Sequence, residues 1–148
     1  MKRSVFSSGY VEVYTFEGPK YIKDLKVGDL VLTHLNRYKQ IVDVKRILTP
    51  ISYSKGIFDI YFFDFENKKV CEFEGIHRIG GGSPIYLNDH CIKKVVNIKE
   101  GDILQLRKRK VRVIQLLEIP PENYGDYLYS IEVEKDHSYY ADDVLITD

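Results

Sequence analysis

The stretch Ile131–Asp148, which reads IEVEKDHSYYADDVLITD, stands at the end of the sequence and decides the fold. It continues an alternation of side chains over Tyr127–Val133 that is typical of a half-buried β-strand. Glu134–Asp136 then supplies a polar turn, and a second turn at 142–143 separates two tyrosines from the apolar run Val144–Ile146. We therefore predict a β-hairpin in this segment.

The rest of the chain also has the composition of a β-protein. Short runs rich in β-branched and aromatic residues recur throughout, separated by turn residues such as Gly80-Gly81-Gly82 and Pro120-Pro121. The sequence contains 12 tyrosines, 7 phenylalanines and no tryptophan, and no long window has a helical period. We predict an all-β fold with residues 1–148 as a single domain, because 148 residues suffice for one core and no low-complexity linker divides them.

The charge balance argues against several classes of partner. Lys and Arg total 22, and so do Asp and Glu, so no overall field favours nucleic acid or an anionic membrane. The sequence has neither a signal-peptide core nor an apolar run of transmembrane length, which predicts a soluble intracellular protein. The cysteines Cys71 and Cys91 make no disulfide framework, and with His77 and His90 they lack zinc-finger spacing. We expect no metal site and no cofactor.

An internal repeat joins two distant parts of the chain. Ile22–Val31 (IKDLKVGDLV) matches Val95–Leu104 (VVNIKEGDIL) in its apolar positions, its lysine and its Gly-Asp pair. Each copy predicts one helical turn, a tight turn at Gly-Asp and a following strand. Two such units related by a pseudo-twofold axis would explain the match.

The C-terminal hairpin, the Gly-Asp repeat and the segment Tyr10–Leu32 together resemble one known family. They are similar to the sequence blocks of inteins and Hedgehog-type autoprocessing (Hint) domains, and the resemblance covers essentially the whole chain. It implies a Hint-like, flattened, pseudo-twofold β-barrel of long curved hairpins. It also implies a mini-intein-like domain without an endonuclease, because Arg107–Gly125 is too short to hold one.

The positions that carry the chemistry of this family hold other residues here. In the order N-terminal nucleophile, acyl-shift histidine, penultimate histidine and terminal asparagine, the matching positions are Phe6, Ser83, Thr147 and Asp148. Phenylalanine cannot attack a carbonyl, serine does not exchange a proton near neutral pH, and a carboxylate does not cyclise as an amide nitrogen does. The resemblance therefore implies an inactive autoprocessing site and no enzyme, with His137 as a remnant. We expect Phe6 to lie near Asp148, with Ser83 close to Phe6.

The alignment leaves alternatives open. A shift of one residue would place the nucleophile position at Val5, and Ser7 or Ser8 could serve only by moving the scissile bond. His77 is a rival for the acyl-shift histidine, although it lies six residues before position 83.

With the chemistry lost, we predict a structural or protein-binding module. Phage genes often contain intein-like domains, so a component of a virus particle is a reasonable setting. Tyrosine is enriched at protein interfaces, and the aromatic candidates for such a surface are Tyr61, Phe63, Tyr124, Tyr127, Tyr139 and Tyr140. Residual, non-standard cleavage of a peptide bond is the alternative. Nucleic-acid binding is a weaker one, through a basic hairpin that contains Arg107, Lys108, Arg109, Lys110 and Arg112.

Overall fold

The computed structural model describes residues 5–48, 55–63, 74–89 and 91–147. Within these ranges the chain forms β-strands and three short 3₁₀ turns without any α-helix, which confirms the predicted all-β class. The strands are β1 (Glu12–Thr15), β2 (Gly18–Tyr21), β3 (Leu30–Leu32), β4 (Tyr38–Leu48), β5 (Ile57–Phe63), β6 (Glu74–Gly80), β7 (Pro84–Tyr86), β8 (Ile92–Lys94), β9 (Ile103–Gln105), β10 (Lys110–Glu118), β11 (Tyr127–Val133), β12 (Ser138–Ala141) and β13 (Val144–Thr147). No helix in these ranges has the length and apolar character needed to cross a membrane.

Two sheets make up the fold. The larger has the order β11-β4-β3-β1-β12-β13-β7-β8, with β2 paired to β1, and the smaller has the order β6-β5-β10-β9. The long strand β4 pairs with β11, whereas β10 pairs with β5. Each half of the chain therefore contributes a strand to the arm of the other half. Long, curved hairpin arms of this kind are what the resemblance predicted.

The Gly-Asp repeat forms the same local structure twice. The 3₁₀ turns Ile22–Asp24 and Val95–Asn97 precede the two glycines, Gly28 and Gly101, which have φ angles of 97° and 94°. A side chain is strained in this left-handed region, so glycine is the residue that fits. Each glycine N–H donates to the long strand that follows, at 2.8 Å in both copies.

The aspartates of the two copies also play matching roles. Asp29 accepts a hydrogen bond from the Lys26 amide at 2.9 Å, and Asp102 accepts one from the Lys99 amide at 2.9 Å. Each carboxylate therefore closes the turn that its own copy needs, which explains why the pair Gly-Asp recurs. The predicted pseudo-twofold repeat is confirmed.

The segment 6–8 lies antiparallel to the end of β6. The Gly80 amide donates to the Phe6 carbonyl at 2.7 Å, and the Ser8 amide donates to the Arg78 carbonyl at 2.9 Å. Between these reciprocal bonds, Ser7 bridges Ile79. This pairing places the segment around Phe6 directly beside the residues that lead into β7.

The core draws on both copies of the repeat and on the strands beside them. The buried side chains in and around the first copy include Val13, Ile22, Val31 and Ile41, and those in and around the second include Ile85, Val95, Leu104 and Val113. A smaller cluster at one end consists of Phe6, Ile57, Ile119, Tyr124 and Leu128. Burying each large aliphatic or aromatic side chain stabilises the fold by about 1.5–3 kcal/mol.

Candidate functional site

Phe6, which the resemblance aligns with the nucleophile of the family, is a core residue. Its side chain is only 3% exposed, and Val5 and Ser7 on either side are buried to the same extent. Ile57, Ile119 and Leu128 belong to the cluster that surrounds the ring. The side chain at this position therefore packs the interior of the protein and offers no atom that could attack a carbonyl.

Ser83 lies against the backbone of Phe6, as expected from the sequence. The Phe6 amide donates to Ser83 Oγ at 3.3 Å, and the Ser83 hydroxyl donates to the Phe6 carbonyl at 3.3 Å. Ser83 is completely buried, and its own backbone is held by Gly80 and Val95. A hydroxyl in this place can orient the Phe6 backbone, but it cannot take up and release a proton near neutral pH as a histidine would.

Two donors converge on the Phe6 carbonyl oxygen. The Gly80 amide lies 2.7 Å from it and the Ser83 hydroxyl lies 3.3 Å from it. The carbonyl belongs to the Phe6–Ser7 bond, one bond further along than the family alignment predicts. Hydrogen-bond donors on a carbonyl oxygen stabilise negative charge that develops there during attack. Ser7 follows directly, and its hydroxyl donates to the Ser8 carbonyl at 3.3 Å.

The C-terminal hairpin brings Thr147 to the strand that follows Ser83. Strand β13 pairs with β7 through Ile146 and Ile85, and β7 begins at Pro84, next to Ser83. The Thr147 hydroxyl donates to the His137 carbonyl at 3.0 Å, which closes the open end of the hairpin. His137 is exposed and has a φ of 51°, so its backbone serves the turn. Asp148 lies outside the described residues, and its proximity to Phe6 stays a prediction.

An ion pair between the half-exposed Arg37 and the buried carboxylate of Asp136 holds the turn before this hairpin. Asp136 accepts hydrogen bonds from Arg37 Nε at 2.8 Å and from Thr33 Oγ1 at 2.5 Å. The hydrogen bond from Arg37 is the main reason why the pKa of the Asp136 carboxyl lies far below its usual range, and Thr33 adds to the effect. The sequence identified Asp136 only as a turn residue, because its partners lie about a hundred positions away.

The rival histidine has other contacts. His77 Nδ1 lies 3.5 Å from Asp59 Oδ2, and the His77 ring meets Tyr61 edge-on at a centroid distance of 5.4 Å. Of the other residues considered as metal ligands, Cys71 and His90 lie outside the described residues, and Cys91 is an exposed free thiol. The described residues bring together no group of three metal-ligating side chains.

The aromatic surface predicted from the sequence needs correction at three positions. Tyr124, Tyr139 and Tyr140 are only 9%, 1% and 8% exposed, so their rings pack inside the protein and cannot form a docking surface. Tyr61 and Phe63 are half-buried and Tyr127 is exposed, so these three keep the surface access that the hypothesis requires. Their role as a binding surface stays a prediction.

Tyr140 is buried because the outer face of the large sheet carries its own apolar layer. Strand pairing sets Tyr38 opposite Leu32 and Tyr140 opposite Leu145. These residues form a cluster with Tyr14 and Tyr86 at their flanks. The alternate residues of the same strands, Val13 and Ala141 among them, face the main core. Aromatic rings on both faces of this sheet are therefore shielded from solvent.

The basic hairpin lies at the turn between β9 and β10. Arg107 is engaged within the fold: its Nε lies 3.3 Å from Asp143 Oδ1, and its guanidinium lies 4.2 Å from the centre of the Tyr14 ring. Lys108, Lys110 and Arg112 are exposed and Arg109 is half-buried. Because Arg107 is already paired with Asp143, it would contribute less to the binding of a phosphate.

Comparison with known proteins supports the fold. No protein-family model and no curated protein sequence matches the chain. Among solved structures, it is similar to the crystal structure of the gp41-1 intein, with a TM-score of 0.74 and 21% identity over 97% of this chain and 98% of that one. The solution structure of a bacterial intein-like domain from Clostridium thermocellum gives a TM-score of 0.74 with 16% identity, over 99% of this chain and 100% of that one. The Ssp DnaB mini-intein variant M86 gives 0.74 with 10% identity, over 99% and 96%.

Proposed function

The chain has a Hint fold of the mini-intein-like kind, and we propose that it is a retired autoprocessing domain that serves as a structural or protein-binding module. The observation that carries the proposal is the burial of Phe6 in a core cluster at the place where the family keeps its nucleophile. A side chain that holds the interior together is not available for chemistry at the backbone.

The loss extends beyond the nucleophile. Ser83 supplies a hydroxyl where the family has a proton-transferring histidine, and Thr147 uses its hydroxyl to close the hairpin. Each missing acid, base or nucleophile typically lowers a rate by about 10²–10⁴. The catalytic residues of one site act together, so the absence of several of them leaves little rate acceleration.

What persists is a rigid β-scaffold that exposes aromatic rings. Tyr10 is 70% exposed and Phe16 is 68% exposed, and Tyr21 and Tyr127 are also open to solvent. Rigid rings with a polar tip contribute much contact area for little lost side-chain entropy, which suits a protein interface. A place in a virus particle or its assembly machinery is consistent with such a role.

One observation favours residual cleavage as a second candidate. The Phe6 carbonyl carbon, polarised by the Gly80 amide and the Ser83 hydroxyl, is followed by the hydroxyl of Ser7. Attack by Ser7 Oγ would transfer the acyl group from the Ser7 nitrogen to its oxygen. The hydroxyl proton would pass to the released amine, and water would then hydrolyse the ester. The bond that would be cleaved is Phe6–Ser7, which lies one residue after the Val5–Phe6 bond that the family alignment predicts.

Intact-mass measurement on a fusion protein tests both candidates. A reporter peptide is attached before Met1 and another after Asp148, and the purified fusion is incubated with and without a thiol. The retired-domain proposal expects the full-length mass alone. A fragment that begins at Ser7, lost in Ser7→Ala and retained in the matched control Ser8→Ala, would replace it with the second candidate. A fragment that begins at Phe6 or ends at Asp148 would refute the loss of the original chemistry.

A further inference from the structure

A groove lies at the turn end of the β12–β13 hairpin, away from Thr147. It has a volume of about 670 Å³ and runs between the β1–β2 hairpin and the β9–β10 turn. Cavities of this size are typical of binding sites. Neither Phe6 nor Ser83 lines the groove, so it is separate from the degenerate processing site.

Two carboxylates line this groove side by side. The Glu12 amide donates to Asp142 Oδ1 at 2.9 Å, and the Asp142 amide donates to the Glu12 carbonyl at 2.7 Å. In the part of the chain that the structure describes, neither carboxylate takes part in an ion pair. Burial is the main reason why the pKa of the Asp142 carboxyl is raised; the charge of Glu12 adds to the rise, whereas the hydrogen bond from the Glu12 amide and the charge of His77 oppose it. The groove therefore contains two carboxylates that form no ion pair among the described residues, although His77, Arg107 and Arg109 also line it.

The next residue in the turn, Asp143, differs from Asp142 because it forms an ion pair. Asp143 lies next to Asp142 in the same turn and pairs with Arg107, whose guanidinium also lies over Tyr14. Because Arg107 is committed to this pair, it does not compensate Glu12 and Asp142.

Aromatic rings stand beside the two carboxylates. Tyr10 and Tyr21 both line the groove, and their rings meet edge-on with centroids 5.5 Å apart. Lys23 Nζ lies 5.3 Å from the Tyr10 centroid and 5.9 Å from the Tyr21 centroid, so the pair already accepts an ammonium group. The electron-rich faces of aromatic rings attract cations, and they also pack against the aliphatic stem of a lysine or arginine.

We propose that this groove binds a lysine or arginine side chain from an exposed segment of a partner protein, with the cation at Glu12 and Asp142 and the aliphatic stem against Tyr10 and Tyr21. Two carboxylates without an ion-pair partner among the described residues and aromatic walls in one groove complement a cation with an aliphatic stem. The assignment of the ligand to a partner protein rests on the proposed function. The assignment of a cation rests on the groove alone.

Small probes test the chemistry without knowledge of the partner. The full chain, labelled with ¹⁵N, is titrated with N-acetyl-arginine amide, N-acetyl-lysine amide, the uncharged N-acetyl-norleucine amide and the acidic N-acetyl-glutamate amide. The backbone amide signals of Glu12, Tyr21 and Asp142 report binding at the groove.

Two variants separate charge from shape. The double variant Glu12→Gln/Asp142→Asn removes both charges and keeps the turn. The side-chain carbonyl oxygen of the introduced asparagine could still accept from the amide of residue 12, and asparagine tolerates a positive φ. Glu122→Gln, an exposed acid elsewhere, is the matched control.

The proposal expects saturable shifts at these amides with at least one of the two cationic probes. It also expects the double variant to lose about tenfold or more in affinity and Glu122→Gln to bind unchanged. It is overturned if neither cationic probe gives saturable shifts there, if the norleucine or glutamate probe binds as tightly, or if the double variant binds as the unaltered chain does. Cleavage of the fusion protein would refute the proposed function and leave these titrations unaffected, so the two failures are distinguishable.

Discussion

Replacing Phe6 by alanine tests whether the position that the resemblance aligns with the nucleophile belongs to the core. The Phe6 ring is 3% exposed and packs with Ile57, Ile119, Tyr124 and Leu128. Truncating a phenylalanine in such a setting costs about 3–5 kcal/mol, because apolar contacts are lost and a cavity remains. We expect Phe6→Ala to lower the free energy of unfolding by about 3 kcal/mol, the lower end of that range, because this cluster lies at one end of the barrel and can partly collapse.

The matched control is Phe16→Ala. Phe16 is 68% exposed and has one edge-on partner, Tyr38, at a centroid distance of 5.2 Å. Loss of that pair costs about 0.5–1.5 kcal/mol. Chemical denaturation monitored by tyrosine fluorescence and circular dichroism measures both variants. At about 3 °C per kcal/mol for a domain of this size, Phe6→Ala should lower the Tm by about 10 °C.

A small effect at Phe6 would refute the reasoning. If Phe6→Ala destabilises the protein no more than Phe16→Ala does, the segment around Phe6 does not pack as part of the core. The Val5–Phe6 bond would then be accessible, and the argument for a retired site would lose its main support.

Three further predictions concern stability. Ser130 Oγ is buried without a hydrogen-bond partner among the described residues, so Ser130→Ala should raise the free energy of unfolding by about 1 kcal/mol in urea denaturation; a loss instead would reveal a hidden partner. The pKa of Asp136 is lowered in the folded state, so its stabilisation is present above the ordinary pKa of 3.8 and is lost as the pH falls toward the folded value. Arg37→Gln should flatten this acid dependence, and an unchanged profile would contradict the assignment. A Cβ at Gly75 would lie 2.4 Å from the Ile60 carbonyl oxygen, so Gly75→Ala should destabilise the protein by about 2 kcal/mol or more, and a neutral result would refute the close approach.

The parts of the fold that local sequence determines were predictable. Gly28 and Gly101 recur with an aspartate because each turn needs a positive φ and a carboxylate that accepts the amide three residues before it. The C-terminal hairpin follows from alternation and two turns, since both signals are local. The backbone of Phe6 and the side chain of Ser83 come together through long-range pairing. Only the resemblance to the known family predicted that the two residues lie close together.

Long-range packing accounts for what the sequence did not reveal. Tyr139 and Tyr140 were both predicted to lie at the surface, yet Tyr139 packs in the main core and Tyr140 is covered by the apolar layer on the outer face of the sheet. Glu12 and Asp142 are 130 positions apart, and nothing in either neighbourhood indicates that they share a groove. The sequence also did not predict that the Gly80 amide donates to the Phe6 carbonyl, because every residue type except proline has a backbone amide and none signals its partner.

The most direct test of the central claim places the family's catalytic side chains at the four positions that the resemblance aligns with them. A fusion with peptides at both ends is prepared as the unaltered chain and as the variant Phe6→Cys/Ser83→His/Thr147→His/Asp148→Asn. The fraction cleaved after overnight incubation with a thiol is measured by intact mass. A retired site on an intact Hint scaffold predicts no cleavage of the unaltered fusion and cleavage of the restored one before residue 6. Cleavage of the unaltered fusion at that bond, to the same extent as the restored one, would contradict the account.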